Sequence, residues 1–188
     1  MLNEIFNKNP IKGHYCHLYH VEINDSKFIY DLRNSRGEYL KKTSSLKGQE
    51  DYLKKYYIRY QNKDEIYFKM FDVSIQKFVG VTRFTELNNP TKFGFESGVM
   101  HVNANPQIYL DAYFMVLRLG FEVLKRGYSG LWTVDNNNHR MIKLHQKIGI
   151  ARTVEVNNKY NVLEAYDYDF FEKFPAFERL NFGKLKNI

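Results

Sequence analysis

The sequence predicts a mixed α+β domain, with about seven strands in a largely antiparallel sheet flanked by four helices. Three observations predict it. Apolar residues alternate over some short runs and recur at helical spacing in others. These patterns come in the order strand, two helices, three strands, helix, strand, helix, two strands, with no repeat and no long linker, so residues 1–188 read as one domain. Finally, Asn105-Pro106 and Asn138 are strong helix starts, because an Asn side chain caps free N–H groups and Pro suits the first helical position.

His14 to Ile23 reads as the first strand, followed by a helix from about Asp25 to Asn34 and a turn at Ser35-Arg36-Gly37. Ser44 or Ser45 opens the next helix. Gly48 to Asn62 then carries Tyr52, Leu53, Tyr56, Tyr57 and Tyr60 on one stripe. Glu65 to Val73 and Phe78 to Leu87 alternate as partner strands joined through Ser74-Ile75-Gln76-Lys77. A fourth strand runs from about Phe93 to Val102. The helix starting at Asn105-Pro106 should reach Arg126, where Lys125 and Arg126 suit its negative end and Gly127 terminates it.

A short apolar strand, Leu131 to Val134, breaks at Asp135-Asn136-Asn137-Asn138. An amphipathic helix with Met141, Ile142, Leu144 and Ile148 follows, closed by Gly149. The last two strands fall near Ala151 to Val156 and Tyr160 to Phe170, with Tyr166, Tyr168 and Phe170 on one face and Asp167 and Asp169 on the other. An aromatic tail follows Pro175.

Bulk properties bound the function. Hydrophobic residues make up 44% of the 188 and there are only 4 Pro, a globular composition and not a disordered one. Fifteen Tyr and fifteen Phe against one Trp imply ring-filled packing or a ring-lined pocket. Subtracting 21 acidic from 28 basic residues leaves +7, a surplus that attracts anions such as nucleic acid, a phosphate-rich cofactor or a nucleotide-sugar. The single Cys16 allows no internal disulfide, the N-terminus MLNEIFNKNP lacks a signal layout, and no segment approaches the roughly 18 apolar residues of a membrane span. The expectation is a cytoplasmic protein that does not enter the membrane.

His14, His17 and His20 invite a metal reading. On a strand, however, His17 faces away from the other two, and no second cluster matches, so no metal is expected. The helix Tyr52-Leu53-Lys54-Lys55-Tyr56-Tyr57-Ile58-Arg59-Tyr60 could stack bases, but rings on the sheet and lysines in water explain it as well, which disfavours nucleic acid as a partner.

The segment Asn138 to Ile150 resembles the pattern N-x-x-(A)-x-x-(L)-(Y)-x-(K)-x-G-(F) of the GCN5-related N-acetyltransferase family, with Asn138, Met141, Leu144, His145, Lys147, Gly149 and Ile150 at its positions. The element order is similar over roughly residues 14 to 170. The resemblance implies the family's mixed sheet and acyl transfer from acetyl-CoA to a primary amine by direct attack in a ternary complex. It implies that the fourth strand lines the thioester through Met100, His101, Val102 and Asn103 and offers a backbone N–H to its carbonyl, a donor worth about 3–4 kcal/mol of barrier. It places the pyrophosphate at the helix start formed by Asn105, Gln107, Ile108 and Tyr109, where N–H groups and the helix dipole attract anions. Asn138 and Met141 would contact the pantetheine arm, and His145 stands where many members use a Tyr to protonate the thiolate.

Glu96 and His101 are the base candidates, with Glu86 and Asp169 behind; such help contributes about 10²–10⁴ in rate. Arg33, Arg36 and Arg83 would bind the acceptor. The family's (R/Q)-x-x-G-x-(G/A) loop is absent: Asn103 to Ala112 contains no glycine. Within the family, that loop, the His in place of Tyr and the many rings resemble enzymes acetylating amino sugars on nucleotide carriers. A protein N-terminal acetyltransferase of the ribosomal-protein type is the near alternative. An inert module of the same fold binding nucleic acid is the alternative from another class.

Overall fold

A computed structural model describes residues 1–35 and 45–188, and within them the chain forms one sheet of eight strands with helices on both faces. The elements are α1 (Leu2–Asn7), β1 (Ile11–Lys12), β2 (Cys16–His20), α2 (Ser26–Asn34), α3 (Leu46–Gln61), β3 (Ile66–Asp72), β4 (Lys77–Thr85), β5 (Lys92–Met100), α4 (Pro106–Arg118), β6 (Tyr128–Asp135), α5 (His139–Ile148), β7 (Ala151–Val156), β8 (Tyr160–Tyr166) and α6 (Asp167–Glu178). The strands lie in the order β1-β2-β3-β4-β5-β6-β8-β7. Every pair is antiparallel except β5 with β6. The predicted class therefore holds, with a two-residue edge strand added, which makes the expected fourth strand β5. Among the described residues no helix is long and apolar enough to cross a membrane.

Both faces of the sheet are covered, which is why neighbouring strand residues can both be buried. Ile66, Phe68 and Met70 of β3 face a large core with Tyr113, Phe114 and Met115 of α4 and Phe170 and Phe174 of α6. Tyr67 faces the other way, into a smaller core with Ile29 and Leu32 of α2 and Leu53 and Tyr56 of α3. The aromatic helix of the sequence behaves accordingly: Leu53 and Tyr56 meet the sheet, while Lys54 and Lys55 are exposed and Lys54 pairs with Asp51. His17 is half-buried and His20 buried on opposite faces of β2, and His14 lies before the strand.

Capping follows the sequence closely. The Ser45 hydroxyl accepts from the Gly48 N–H, Asn105 caps α4 ahead of Pro106, Asn138 accepts from Met141 N–H, and α5 closes at Gly149 with φ 71°. Ser44, and most of the turn expected at 35–37, lie outside the described residues.

Four readings of the sequence are corrected. The helix expected to reach Arg126 is α-helical only to Arg118 and then widens into a π turn over Leu119–Val123, closed by Leu124 N–H on Leu119 C=O. There the Phe93 ring lies so near the backbone that a Cβ on Gly120 would sit 2.2 Å from it. The strand expected to reach Phe170 stops at Tyr166, and Asp167 opens α6. The Tyr–Phe alternation mimics a strand, but Phe170 and Phe174, four apart, share a helical face and are both buried. Pro175 sits inside that helix instead of starting a tail. A mid-helix Pro costs about 3 kcal/mol, and burying two Phe side chains returns roughly 3–6 kcal/mol. Finally, α1 was not expected; its Ile5 is fully buried.

The most consequential polar contact outside the sheet is the Asp111 carboxylate on α4, fully buried in the large core. It accepts from the backbone N–H of Tyr15 (2.7 Å), Cys16 (2.8 Å) and Gly183 (2.7 Å), tying α4 to the start of β2 and to the C-terminal segment. Asp111→Asn turns one acceptor oxygen into a donor facing N–H groups. The expected loss is about 3 kcal/mol or more, measured as a lower urea midpoint at unchanged slope.

Candidate active site

The site arises where the one parallel pairing fails. β5 and β6 are in register only at Lys92↔Tyr128 and Phe93↔Ser129, after which they diverge. On its other side β5 stays paired with β4, but the register slips between Val81 and Arg83. Gly98 lies in that slip with φ 80°, and a Cβ there would sit 2.0 Å from the Val81 carbonyl oxygen, so the backbone path is open only to glycine. Beyond it, His101 N–H donates to Val79 C=O at 2.7 Å. Alternation along the strand turns the Met100 N–H to the opposite edge, into the gap.

Two cavities flank this stretch. The first, about 310 Å³, lies between the parted strands, walled by β5 from Gly98 to Met100, by Thr133–Asp135 of β6 and by Tyr109 and Leu144 of the covering helices. The second, about 430 Å³, lies between β4, β5 and α3, walled by Arg33, Gln49, Tyr52, Tyr67, Arg83 and Glu96. Gly98 and Val99 line both, so one stretch of β5 borders the two cavities.

Of the residues the sequence singled out, Met100, His101, Val102, Tyr109, Asn138 and Met141 line the first cavity. Asn103, Asn105, Gln107 and Ile108 sit in the adjoining loop and first turn of α4 without lining it. That turn has few donors left. Pro106 has none, the Gln107 N–H is taken by the Asn105 side chain at 3.0 Å, and the Ile108 N–H by the Asn105 carbonyl at 3.0 Å. Arg140, which the sequence did not flag, lines the same cavity and is exposed.

Arg33, Arg83 and Glu96 line the second cavity; Arg36 lies outside the described residues. Arg83 is the hub. It binds Glu96 through Nε at 2.8 Å and again through Nη2, reaches Glu65 at 3.2 Å, and contacts the Tyr52 hydroxyl. Glu65, almost fully buried, also meets Arg59 at 2.5 Å. Burial pushes the phenols of Tyr52 and Tyr67 up, so both remain neutral hydroxyls. The two base candidates are separated by β5: Glu96 belongs to the second cavity and is paired with Arg83, while His101 is exposed on the first. Glu86 pairs with Lys92 and Asp169 with Arg152, away from both cavities.

His145 does not line the cavity. It is 1% exposed, packed on Tyr113 and Trp132, with Nε2 3.3 Å from the Tyr109 hydroxyl. The grouping of Tyr52 and Gln49 of α3 with Arg83 and Glu96 of the sheet, and the contact of Tyr109 on α4 with His145 on α5, emerge only in three dimensions.

Burial lowers the pKa of His145, and of His20, from 6.5 to about 4. Both fold as neutral rings, so the unfolded chain takes up protons first as the pH falls. Stability should be full above pH 6.5 and decline toward pH 4, by roughly 3 kcal/mol for His145. Urea midpoints at about pH 7 and about pH 4.5 check this; a flat profile contradicts it.

No family profile and no curated protein sequence matches this chain. Solved structures do. The chain is similar to apo FdhC, a nucleotide-linked sugar GNAT, at 24% identity over 93% of this chain and 99% of that one, with a TM-score of 0.79. A GCN5-related N-acetyltransferase from Brucella melitensis aligns at 16% identity over 91% and 84%, TM-score 0.71. Spermidine N-acetyltransferase from Vibrio cholerae, solved with CoA and spermine, aligns at 16% identity over 84% and 98%, TM-score 0.64. The fold of this chain is therefore that of the GCN5-related N-acetyltransferases.

Proposed function

We propose that this chain is an acetyl-CoA-dependent N-acetyltransferase whose acceptor is a small-molecule amine, an amino sugar carried on a nucleotide. The observation that carries the reading is the meeting of two cavities at Gly98–Val99. A donor in one and an acceptor in the other would bring thioester and amine to the same stretch of β5, where direct attack in a ternary complex requires them to come into contact.

In this reading the pantetheine arm enters the wedge between β5 and β6, beside Met100, Val102, Asn138 and Met141, with the thioester carbonyl against the Met100 N–H. Asn103, Asn105, Gln107 and Ile108 border the pyrophosphate, and Tyr109 lines the cavity farther along the arm. With the first α4 donors already used, Arg140 supplies the cation that the glycine-free loop does not. His101 or Glu96 takes the amine proton, and His145 serves proton return to sulfur.

The second cavity favours a nucleotide-sugar over a polyamine. Arg33 would contribute a guanidinium to a diphosphate, Arg83 lines the pocket while held by Glu96, Glu65 and Tyr52, and Tyr52 and Tyr67 offer rings to the base or sugar. A polycation there would meet like charge, with Glu96 already engaged by Arg83.

Saturating acetyl-CoA, at about a thousand times its Kd, should stabilise the protein by about 4 kcal/mol and raise Tm by roughly 8–16 °C. Release of CoA should then require a nucleotide-linked amino sugar and not spermidine. Arg33→Gln should raise the acceptor KM by about tenfold while acetyl-CoA affinity stays the same. Turnover with spermidine and none with the nucleotide-sugars would contradict the acceptor assignment, and no Tm shift would contradict the donor.

A further inference from the structure

We infer that Tyr109 is the residue that protonates the departing thiolate, and that His145 is a positioning residue acting through the Tyr109 hydroxyl. The inference rests on the acetyl-transfer reading above and assigns the proton donor within it.

Three proton-bearing rings stand in the wall of the first cavity: His101, Tyr109 and Tyr160. His101 is exposed beyond the end of β5, and Tyr160 opposes Asp135 at the outer end of β6. Tyr109 alone of the three is buried, at 7% exposure, on the first turns of α4. It belongs to the wall that shares Gly98 and Val99 with the second cavity, where an acyl group must lie to be reached from both sides.

Behind it, His145 reaches the cavity wall through that hydroxyl. Its Nε2 meets Tyr109 Oη at 3.3 Å, and its Nδ1 is buried with no hydrogen-bond partner among the described residues. These two facts choose the tautomer. A neutral imidazole carries one N–H. Placed on Nδ1, that N–H would be buried without an acceptor, whereas on Nε2 it is spent on Tyr109 and only a lone pair is left at Nδ1. His145 therefore donates to Oη, and the phenolic proton is not committed to the imidazole. Burial keeps the ring neutral, in agreement with this arrangement.

The chemistry then balances. The amine lone pair forms the C–N bond to the thioester carbonyl, and its surplus proton leaves to a base and then to solvent. Collapse of the tetrahedral species breaks the C–S bond, and the sulfur takes the proton from Tyr109 Oη. The phenolate is held by the His145 Nε2–H, a contact that shortens as charge develops, and it regains a proton from solvent after CoA leaves.

The test compares CoA with desulfo-CoA, which lacks the sulfur, so no acceptor is needed. Calorimetry on the wild-type chain should show CoA bound about tenfold more tightly near pH 8, where the bound thiolate accepts from Tyr109. Tyr109→Phe should abolish that preference while desulfo-CoA affinity is kept. The pH at which bound CoA ionises, followed by thiolate absorbance, should move up in Tyr109→Phe and in His145→Leu. It should stay as in wild type in His145→Gln, whose amide can still donate. An unchanged preference and ionisation pH in Tyr109→Phe overturns the assignment. Failure of the wild-type chain to bind either compound overturns the acetyl-CoA reading instead, and the role of Tyr109 with it.

Discussion

Parallel strands stay together only while their slanted hydrogen bonds continue, and β5 and β6 keep that register at just two positions, Lys92↔Tyr128 and Phe93↔Ser129. Past them each strand presents backbone donors and acceptors in the middle of a sheet. Left buried and unpaired, each such group would cost about 1–3 kcal/mol. The gap must therefore be reached by water or by a ligand that satisfies those groups, which makes it a binding cleft by construction. On one side the cleft is kept open by the register slip at Gly98. Beside it, Phe95 of β5 and Trp132 of β6 meet edge to face at 5.3 Å in the large core.

A cleft of this kind needs rigid walls, and the two cores supply them. α4 is buried along nearly its whole length and anchored through Asp111 to β2 and to the C-terminal segment. It also carries Tyr109. α5 brings Asn138, Met141 and Leu144 to the other wall and His145 to the interior. On the opposite face α3 contributes Tyr52 to the second cavity while Leu53 and Tyr56 hold it to the sheet. The charged hub at Arg83 is built the same way, with buried Glu65 paired to both Arg59 and Arg83.

Local signals in the sequence carried most of this architecture. Asn105-Pro106, Asn138 and Gly149 marked helix ends that the structure places at those residues, because a cap depends on the nearest few residues alone. The Asn138–Ile150 string led to the fold for the same reason. What depended on distant contacts was hidden. Nothing near Leu119 reveals that Phe93 packs on the backbone at Gly120, where the helix widens, and the alternation at Tyr166–Phe170 is equally good as a strand until Phe174 is packed. His145 reads as a cavity residue in the linear motif, yet with Ile148 it is one of the residues α5 buries in the interior. The second cavity combines α2, α3, β4 and β5, a set that no single segment encodes.

Hydrogen exchange, followed residue by residue with and without CoA, tests the central claim most directly, since the claim concerns which backbone groups a ligand covers. CoA in the wedge should slow exchange from Val99 to Asn103 and from Asn138 to Leu144, leaving β7 and the outer end of β8 unchanged. Binding that protects neither stretch, or protects only the β7–β8 side, would contradict the account.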